Sequence, residues 1–363
     1  YLVPVLQTCA LPIAAVAPPA AQLPSVPTVR ASDDTIAAVA QQLRDARNSG
    51  LFLGGRALRA DALYQAGRIA AATGCRLVTE TFFARQARGI GRVITERLAY
   101  FGEMAAEQLA ELDTLVLVGA KAPVSFFAYP DKPSVLWPAT ASLATLVDVR
   151  IDALDALTRL ADLLDAPAQP VTASAQAAQP LNHGKIDSTE LGKVVANRLP
   201  EHAIVCDEGA TNSLATFLLT ANAPAHDWLT LTGGAIGQGL PLAVGAAIAC
   251  PDRPVIALEA DGSGMYTVQA LWTMVREQLD ITVLLLNNRS YAILNIELAR
   301  VGVEAPGPIA LSLLDLSNPD LNWADIARGM GLQASTVETV EALDQSFAEA
   351  MAHKGPSLIE VML

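Results

Sequence analysis

Cysteine is scarce in this 363-residue chain: four residues, at positions 9, 75, 206 and 250, stand too far apart for a disulfide framework or a zinc site. A reducing, cytoplasmic setting is therefore expected. Basic residues are also few, with 24 Lys and Arg against 37 Asp and Glu, and the net charge of −13 argues against nucleic-acid binding, which calls for a basic stripe. No apolar run reaches the roughly 18 residues needed to span a membrane. The four histidines offer no catalytic base: His183 falls in a linker, His202 and His226 in polar loops, and His353 just before a terminal strand, where solvated side chains are expected. What remains, 52% of it hydrophobic, is enough to bury two cores of ordinary size.

The breaks divide the chain. Residues 1–13 lack a clean period, a basic n-region and a starting Met, and residues 10–13 back-translate into an adapter-like stretch, so a non-native leader is expected there. Pro-rich residues 14–28 read as a linker, making 1–30 leader and linker. About 50 irregular residues precede the first strand, Leu51-Phe52-Leu53. Residues 31–165 form one expected domain. Its apolar runs, at 51–55, 76–79, 114–119, 134–137 and 145–149, alternate with helical patterns such as 61–72, which predicts an α/β domain with helices on both faces of a parallel sheet. A second linker, 166–185, carries Pro167, Pro170 and Pro180, and residues 186–363 make the second doubly wound domain.

That second domain carries the chemistry. Val255-Ile256-Ala257-Leu258-Glu259 reads as a buried strand, residues 265–279 as a helix with Met265, Val268, Leu271, Trp272, Val275 and Leu279 on one apolar face, and residues 281–286 as the next strand. Asp261-Gly262-Ser263 follows the first strand and Asn287-Asn288 ends the second. The interval matches one strand-helix-strand unit and brings two oxygen ligands to the carboxyl ends of neighbouring parallel strands. Gly262, Ser263 and Gly264 sit at a helix entry suited to phosphate. Asp261, Asn288 and the Ser290 carbonyl match the oxygen set of a hard divalent cation such as Mg²⁺. The pair reads as a metal-diphosphate clamp.

Upstream, Thr232-Gly233-Gly234-Ala235-Ile236-Gly237-Gln238-Gly239-Leu240-Pro241 lets backbone approach a ligand closely before a small-residue helix. Leu242 stands where the dinucleotide fingerprint requires its last glycine, so a nicotinamide reading loses most of its support.

Residues 204–363 resemble the diphosphate-binding domain of thiamine-diphosphate-dependent enzymes, in the branch of acetolactate synthase large subunits and benzoylformate decarboxylases. The resemblance rests on residues 233–237 with Leu240-Pro241, on Ala260-Asp261-Gly262-Ser263, on Leu286-Asn287-Asn288-Arg289-Ser290-Tyr291, and on the closing 354–361 segment. It implies that Asp261, Asn288 and Ser290 hold the metal and that Gly262 and Ser263 hold the diphosphate. Ile236 would be the wedge under the cofactor's bend, and the Gly234 carbonyl would accept from its 4′-amino group. Tyr266, Tyr291, Ala292 and Ile293 would line the cofactor, with Glu208 and Ala210 on a further diphosphate-side loop. Two positions depart from the family: Ala260 replaces the usual glycine before the aspartate, and Ala292 follows Tyr291 where glycine is common.

The same resemblance implies a central domain in residues 31–165 and an N-terminal pyrimidine-binding domain bearing an activating glutamate. No segment here looks like the latter, so no catalytic residue is assigned and the chain alone is expected to be inactive. In some relatives the central domain binds FAD; Gly54-Gly55-Arg56 and Val118-Gly119-Ala120-Lys121 could receive a nucleotide, but flavin-contacting patterns are not evident at 120–137, and FAD is not expected. The implied function is transformation of 2-oxo acids: decarboxylation of pyruvate and transfer of the acyl-carbanion equivalent to a second 2-oxo acid, by a dimer or tetramer. Simple decarboxylation of an aromatic or branched 2-oxo acid is the alternative, and a noncatalytic cofactor-binding subunit or a nucleotide-binding oxidoreductase lies outside that chemistry. Cys206 at a strand end reads as packing. Arg289 and Arg300 could meet a substrate carboxylate or be surface charges.

Overall fold

The computed structural model describes residues 28–303 and 305–363. The expected leader, 1–13, and all but the last residue of the 14–28 linker lie outside the described residues. Among the described residues there are twelve strands: β1 Ser49–Leu53, β2 Arg76–Thr79, β3 Gln86–Arg88, β4 Glu96–Arg97, β5 Thr114–Val118, β6 Ser142–Val147, β7 Ile204–Glu208, β8 His226–Thr230, β9 Val255–Ala260, β10 Ile281–Asn287, β11 Gln333–Val337 and β12 Ser357–Met362. They form two sheets with helices on both faces, in the orders β4-β2-β1-β5-β6 and β11-β12-β10-β9-β7-β8-β3. Every pairing is parallel except β3 with β8. The expected fold class, doubly wound α/β with two parallel sheets, is what the chain adopts.

Strands buried on both faces cannot alternate polar and apolar residues, and the central ones do not. All of Ile281–Asn287 and all of Thr114–Val118 are buried. In register, Leu286 lies opposite Ala260, so Asp261 and the Asn287-Asn288 pair leave adjacent strands side by side. Sheet order changes direction between β1 and β5 in the first sheet and between β7 and β9 in the second. Open α/β sheets bind ligands at such points.

The division at 165/186 is crossed by one strand. Gln86–Arg88 leaves the first sheet and pairs antiparallel with β8 at the edge of the second, Ala87 opposite Asp227. Arg85 grips the Asp227 carboxylate with two bonds of 2.9 Å, Arg253 adds a third at 2.7 Å, and Thr230 donates to the Phe83 carbonyl at 2.6 Å. One hydrophobic cluster runs through both halves, from Leu51 and Val116 to Val205 and Leu258.

Four expectations need correction. Residues before Leu51 are not all irregular: Asp33–Asp45 is a helix, capped by Ser32 and burying Ile36, Val39, Ala40 and Leu43. Residues 134–137 form no strand; Val135 makes one isolated bridge with Val124, and the edge strand is β6, three residues ahead of the expected 145–149. The helix expected over 265–279 is broken into Asp261–Gly264, a 3-10 turn at Met265–Thr267 and Ala270–Arg276. The break turns the apolar face, so Met265 and Trp272 are exposed while Ala270, Leu271 and Met274 are buried. Finally, His226 is no loop residue: it opens β8, is 4% exposed, and its Nδ1 bonds the Pro224 carbonyl.

Candidate cofactor site

Four loops converge at the carboxyl ends of β7, β8, β9 and β10. The β9 strand ends at Ala260 with φ −86°, an extended backbone that alanine adopts freely, so replacing glycine costs nothing there. Asp261 then opens the short helix and is buried. Its Oδ1 accepts from the Gly262 N–H at 2.9 Å, whereas Oδ2 is buried without a partner. Burial pushes its carboxyl up to about 6, against the pull of the Gly262, Arg289 and Ser290 N–H groups. The loop that follows β10 lies against this turn: an added Cβ at Gly262 would lie 2.5 Å from the Tyr291 ring.

The two asparagines divide the work. Asn287 is structural: its Nδ2 donates to Glu360 at 2.8 Å, and its Oδ1 accepts from the Arg289 N–H at 3.0 Å. Asn288 is half-buried, and its Oδ1 accepts from the Ser290 N–H at 3.0 Å. A buried carboxylate oxygen without a partner, beside an amide oxygen and a backbone carbonyl, is the donor set of a hard cation. The residues fit Mg²⁺ with a diphosphate. Among the described residues no three His, Cys, Asp or Glu side chains cluster as a metal site, so the ion's remaining ligands would come from the diphosphate and solvent.

Glu208 reaches the glycine loop. At the end of β7 it is 2% exposed, and its carboxylate accepts from the N–H groups of Gly237 and Gly239, tying down the glycine loop. That loop turns through positive φ at Gly233, Gly234 and Gly237. It is further held by Thr267, whose hydroxyl donates to the Gly237 carbonyl at 2.9 Å, and an added Cβ at Gly237 would lie 2.8 Å from Tyr266. Ile236 on this loop and Tyr266 on the neighbouring 3-10 turn are 48% and 60% exposed. Gly234 lies under the Phe126 ring of the first half, 2.3 Å from where its Cβ would be. Ala210 is exposed at φ 49°, beside the helix Ala292–Arg300 that begins with half-buried Ala292 and Ile293.

Ser263 turns inward, donating to Glu259 Oε1 at 2.6 Å. Glu259 is fully buried, faces Glu208 in strand register, and leaves Oε2 without a partner. Burial first, and the Glu208 charge second, raise its carboxyl well above the usual range. Sequence reasoning missed Glu259, the role of Glu208 and the contact from Phe126. A charged residue inside an otherwise apolar strand was the visible signal for the first; nothing local announced the other two.

Other candidates are spent elsewhere. Arg300 makes a bidentate pair with Glu103 and stands over the Phe101 ring, and Arg289 makes an exposed pair with Asp320. Cys206 is fully buried packing, and its thiol is pushed up by burial. His183 bonds Glu341 at 2.6 Å.

Fold and site together describe a doubly wound protein whose second sheet gathers Glu208, Glu259 and Asp261 beside the glycine loop at its switch point. Residues 207–361 match the family described as thiamine pyrophosphate enzyme, C-terminal TPP binding domain. The chain is 48% identical over 326 residues to the Mycobacterium tuberculosis protein IlvX, whose name as an acetolactate synthase large subunit is itself provisional; the match takes in 90% of this chain and 63% of that protein. It is 32% identical over 163 residues to benzoylformate decarboxylase of Pseudomonas aeruginosa, 45% of this chain and 29% of the relative. The solved thiamine-diphosphate-dependent 4-hydroxybenzoylformate decarboxylase of Rhodococcus jostii superposes with a TM-score of 0.76 at 25% identity, covering 94% of this chain and 66% of that one. The chain thus spans less than two thirds of the length of these relatives.

Proposed function

We propose that the protein acts in the thiamine-diphosphate-dependent transformation of 2-oxo acids, in the manner of an acetolactate synthase large subunit: decarboxylation of pyruvate and transfer of the two-carbon unit to a second 2-oxo acid. The observation that carries this reading is the buried, unpartnered Asp261 Oδ2 beside the 288–290 loop. Asp261, Asn288 and the Ser290 carbonyl would hold Mg²⁺, and the N–H groups of Gly262 and Ser263 the diphosphate. When bound, thiamine diphosphate supplies the electron sink that 2-oxo acid decarboxylation needs. Gly234 and Ile236 would orient its rings, with Glu208 fixing the loop that bears them.

Ligand binding stabilises a fold by about 2.7 kcal/mol at a hundredfold excess over Kd. Mg²⁺ with thiamine diphosphate should therefore raise the melting temperature, and NAD should not. The reverse result would overturn the reading in favour of a nucleotide-binding oxidoreductase. The substrate is tested by product analysis: acetoin from pyruvate after acid treatment supports the synthase. Aldehyde release from benzoylformate supports the second reading, a decarboxylase, which the Pseudomonas and Rhodococcus relatives favour. Cofactor binding with neither product would point to a noncatalytic subunit. Assembly as a dimer or tetramer belongs to the same proposal.

A further inference from the structure

Away from the cofactor cradle, a cleft of about 320 Å³ opens where β3, β4 and the helix Leu214–Leu219 meet. Its lining includes Gln86, Arg88, Arg92, Glu96, Arg97 and Phe217. Arg88, 7% exposed, stands over the Phe217 ring at 3.5 Å from its centroid, and the Arg97 guanidinium stands 5.1 Å from the same centroid. Among the described residues Arg88 pairs with no carboxylate, and Arg97 has one at 4.0 Å, that of Asp207. Arg88 donates to the Phe217 carbonyl at 2.6 Å and reaches the Thr220 hydroxyl at 3.5 Å. Arg97 donates to the Thr81 carbonyl at 2.7 Å and stands 4.0 Å from Asp207, whose two oxygens already accept from Trp228 and the Gly209 N–H. Glu96, the one acid in the lining, is held by Arg76.

Buried Arg88 and half-buried Arg97 repel each other around one ring, with the Asp207 carboxylate 4.0 Å from Arg97, and charge in a low dielectric is costly unless an anion answers it closely. The cleft holds one further orphan. Gln86 is 2% exposed; its Nε2 donates to Thr95 at 2.7 Å, and its Oε1 is buried without a partner. An occupant that answers all three groups needs oxyanion character for the arginines and a hydroxyl to donate to Gln86.

We propose that this cleft is a binding site for a small oxyanion that carries a hydroxyl group, the chemistry shared by hydrogen phosphate and a 2-hydroxy carboxylate, held by Arg88 and Arg97 with Gln86 accepting from the hydroxyl. It lies on different elements from the diphosphate cradle and stands independently of the function proposed above.

Calorimetric titration at fixed ionic strength, with inorganic phosphate, lactate and acetate as probes and chloride as the balancing ion, tests it. Phosphate or lactate should bind at least tenfold more tightly than acetate, and which of the two binds identifies the source. Arg97→Gln should weaken that binding tenfold or more. Gln86→Leu should remove the preference over acetate, and Asp261→Asn should change neither. Arg88→Gln should act like Arg97→Gln; if it does not fold, Arg97→Gln and Gln86→Leu decide the matter alone. Absence of binding by phosphate and lactate, equal binding of acetate, or binding that survives Arg97→Gln overturns the proposal.

Discussion

The two sheets turn at equivalent points and treat the resulting crevice in opposite ways. Between β1 and β5, the Gly54 N–H donates to the Val118 carbonyl at 3.0 Å, and a Cβ on Gly119 would stand 2.6 Å from the Gly54 carbonyl oxygen. Glu80 presses on the same glycine. Backbone closes that crevice. Between β7 and β9 the corresponding ends carry Glu208, Glu259 and Asp261, two of them with buried oxygens that nothing answers. Parallel topology offers a crevice wherever the order reverses, but a ligand site also needs polarity that the protein does not satisfy by itself.

The largest effect should come from filling the closed crevice. Gly119 has φ +72°, so Gly119→Val combines a left-handed β-branched residue with a backbone collision, and should cost about 3 kcal/mol or more in urea denaturation. Tolerance of valine would show that the first crevice is not closed. Next, Asp261→Asn should abolish the roughly 2.7 kcal/mol that Mg²⁺ and thiamine diphosphate add at a hundredfold excess. The unliganded variant should be no less stable than wild type, because the substitution removes a buried charge. A retained cofactor response in thermal melts would dissolve the contrast between the crevices.

His226 sharpens the contrast from another side, since its Nε2 is also an orphan but lies at a sheet edge. Burial and the Arg88 charge lower it to about 4, below the roughly 6.5 of an unfolded chain. As pH falls the unfolded state takes the proton first, so stability held above about 6.5 should decline toward pH 4, by up to about 3 kcal/mol. His226→Gln should flatten that decline in denaturation curves collected across the range. Smallest of all, Lys354→Met removes an exposed pair with Asp280 and should shift stability by less than about 0.5 kcal/mol. A larger loss would mean that surface charge, rather than buried polarity, decides where this fold is sensitive.

Much of this was legible beforehand because the signals are local. The apolar runs of β1, β2, β5, β9 and β10 specify buried parallel strands, and Asp261 with Asn288 follows from strand ends one crossover apart. The broken helix after Asp261 was hidden because Met265, Val268, Leu271, Trp272 and Val275 keep helical spacing, and only packing shows that Met265 and Trp272 face outward. Asp33–Asp45 was overlooked beside the Pro-rich stretch although Ser32 and its apolar stripe mark it. Phe126 over Gly234, Arg85 on Asp227 and the Arg88 stack on Phe217 join residues about a hundred or more positions apart, and no window on the sequence contains both members.

The three residues Gln86–Arg88 bear on how the gene can be cut and recombined. A fusion or swap made at the 166–185 segment would leave the recipient's β8 with bare amide and carbonyl groups and Asp227 without Arg85. Such a chimaera would expose a ready template for intermolecular pairing. Grafting this cradle into another scaffold therefore requires carrying a short piece of the upstream gene with it, and libraries that shuffle at the composition break should lose most of their members to aggregation.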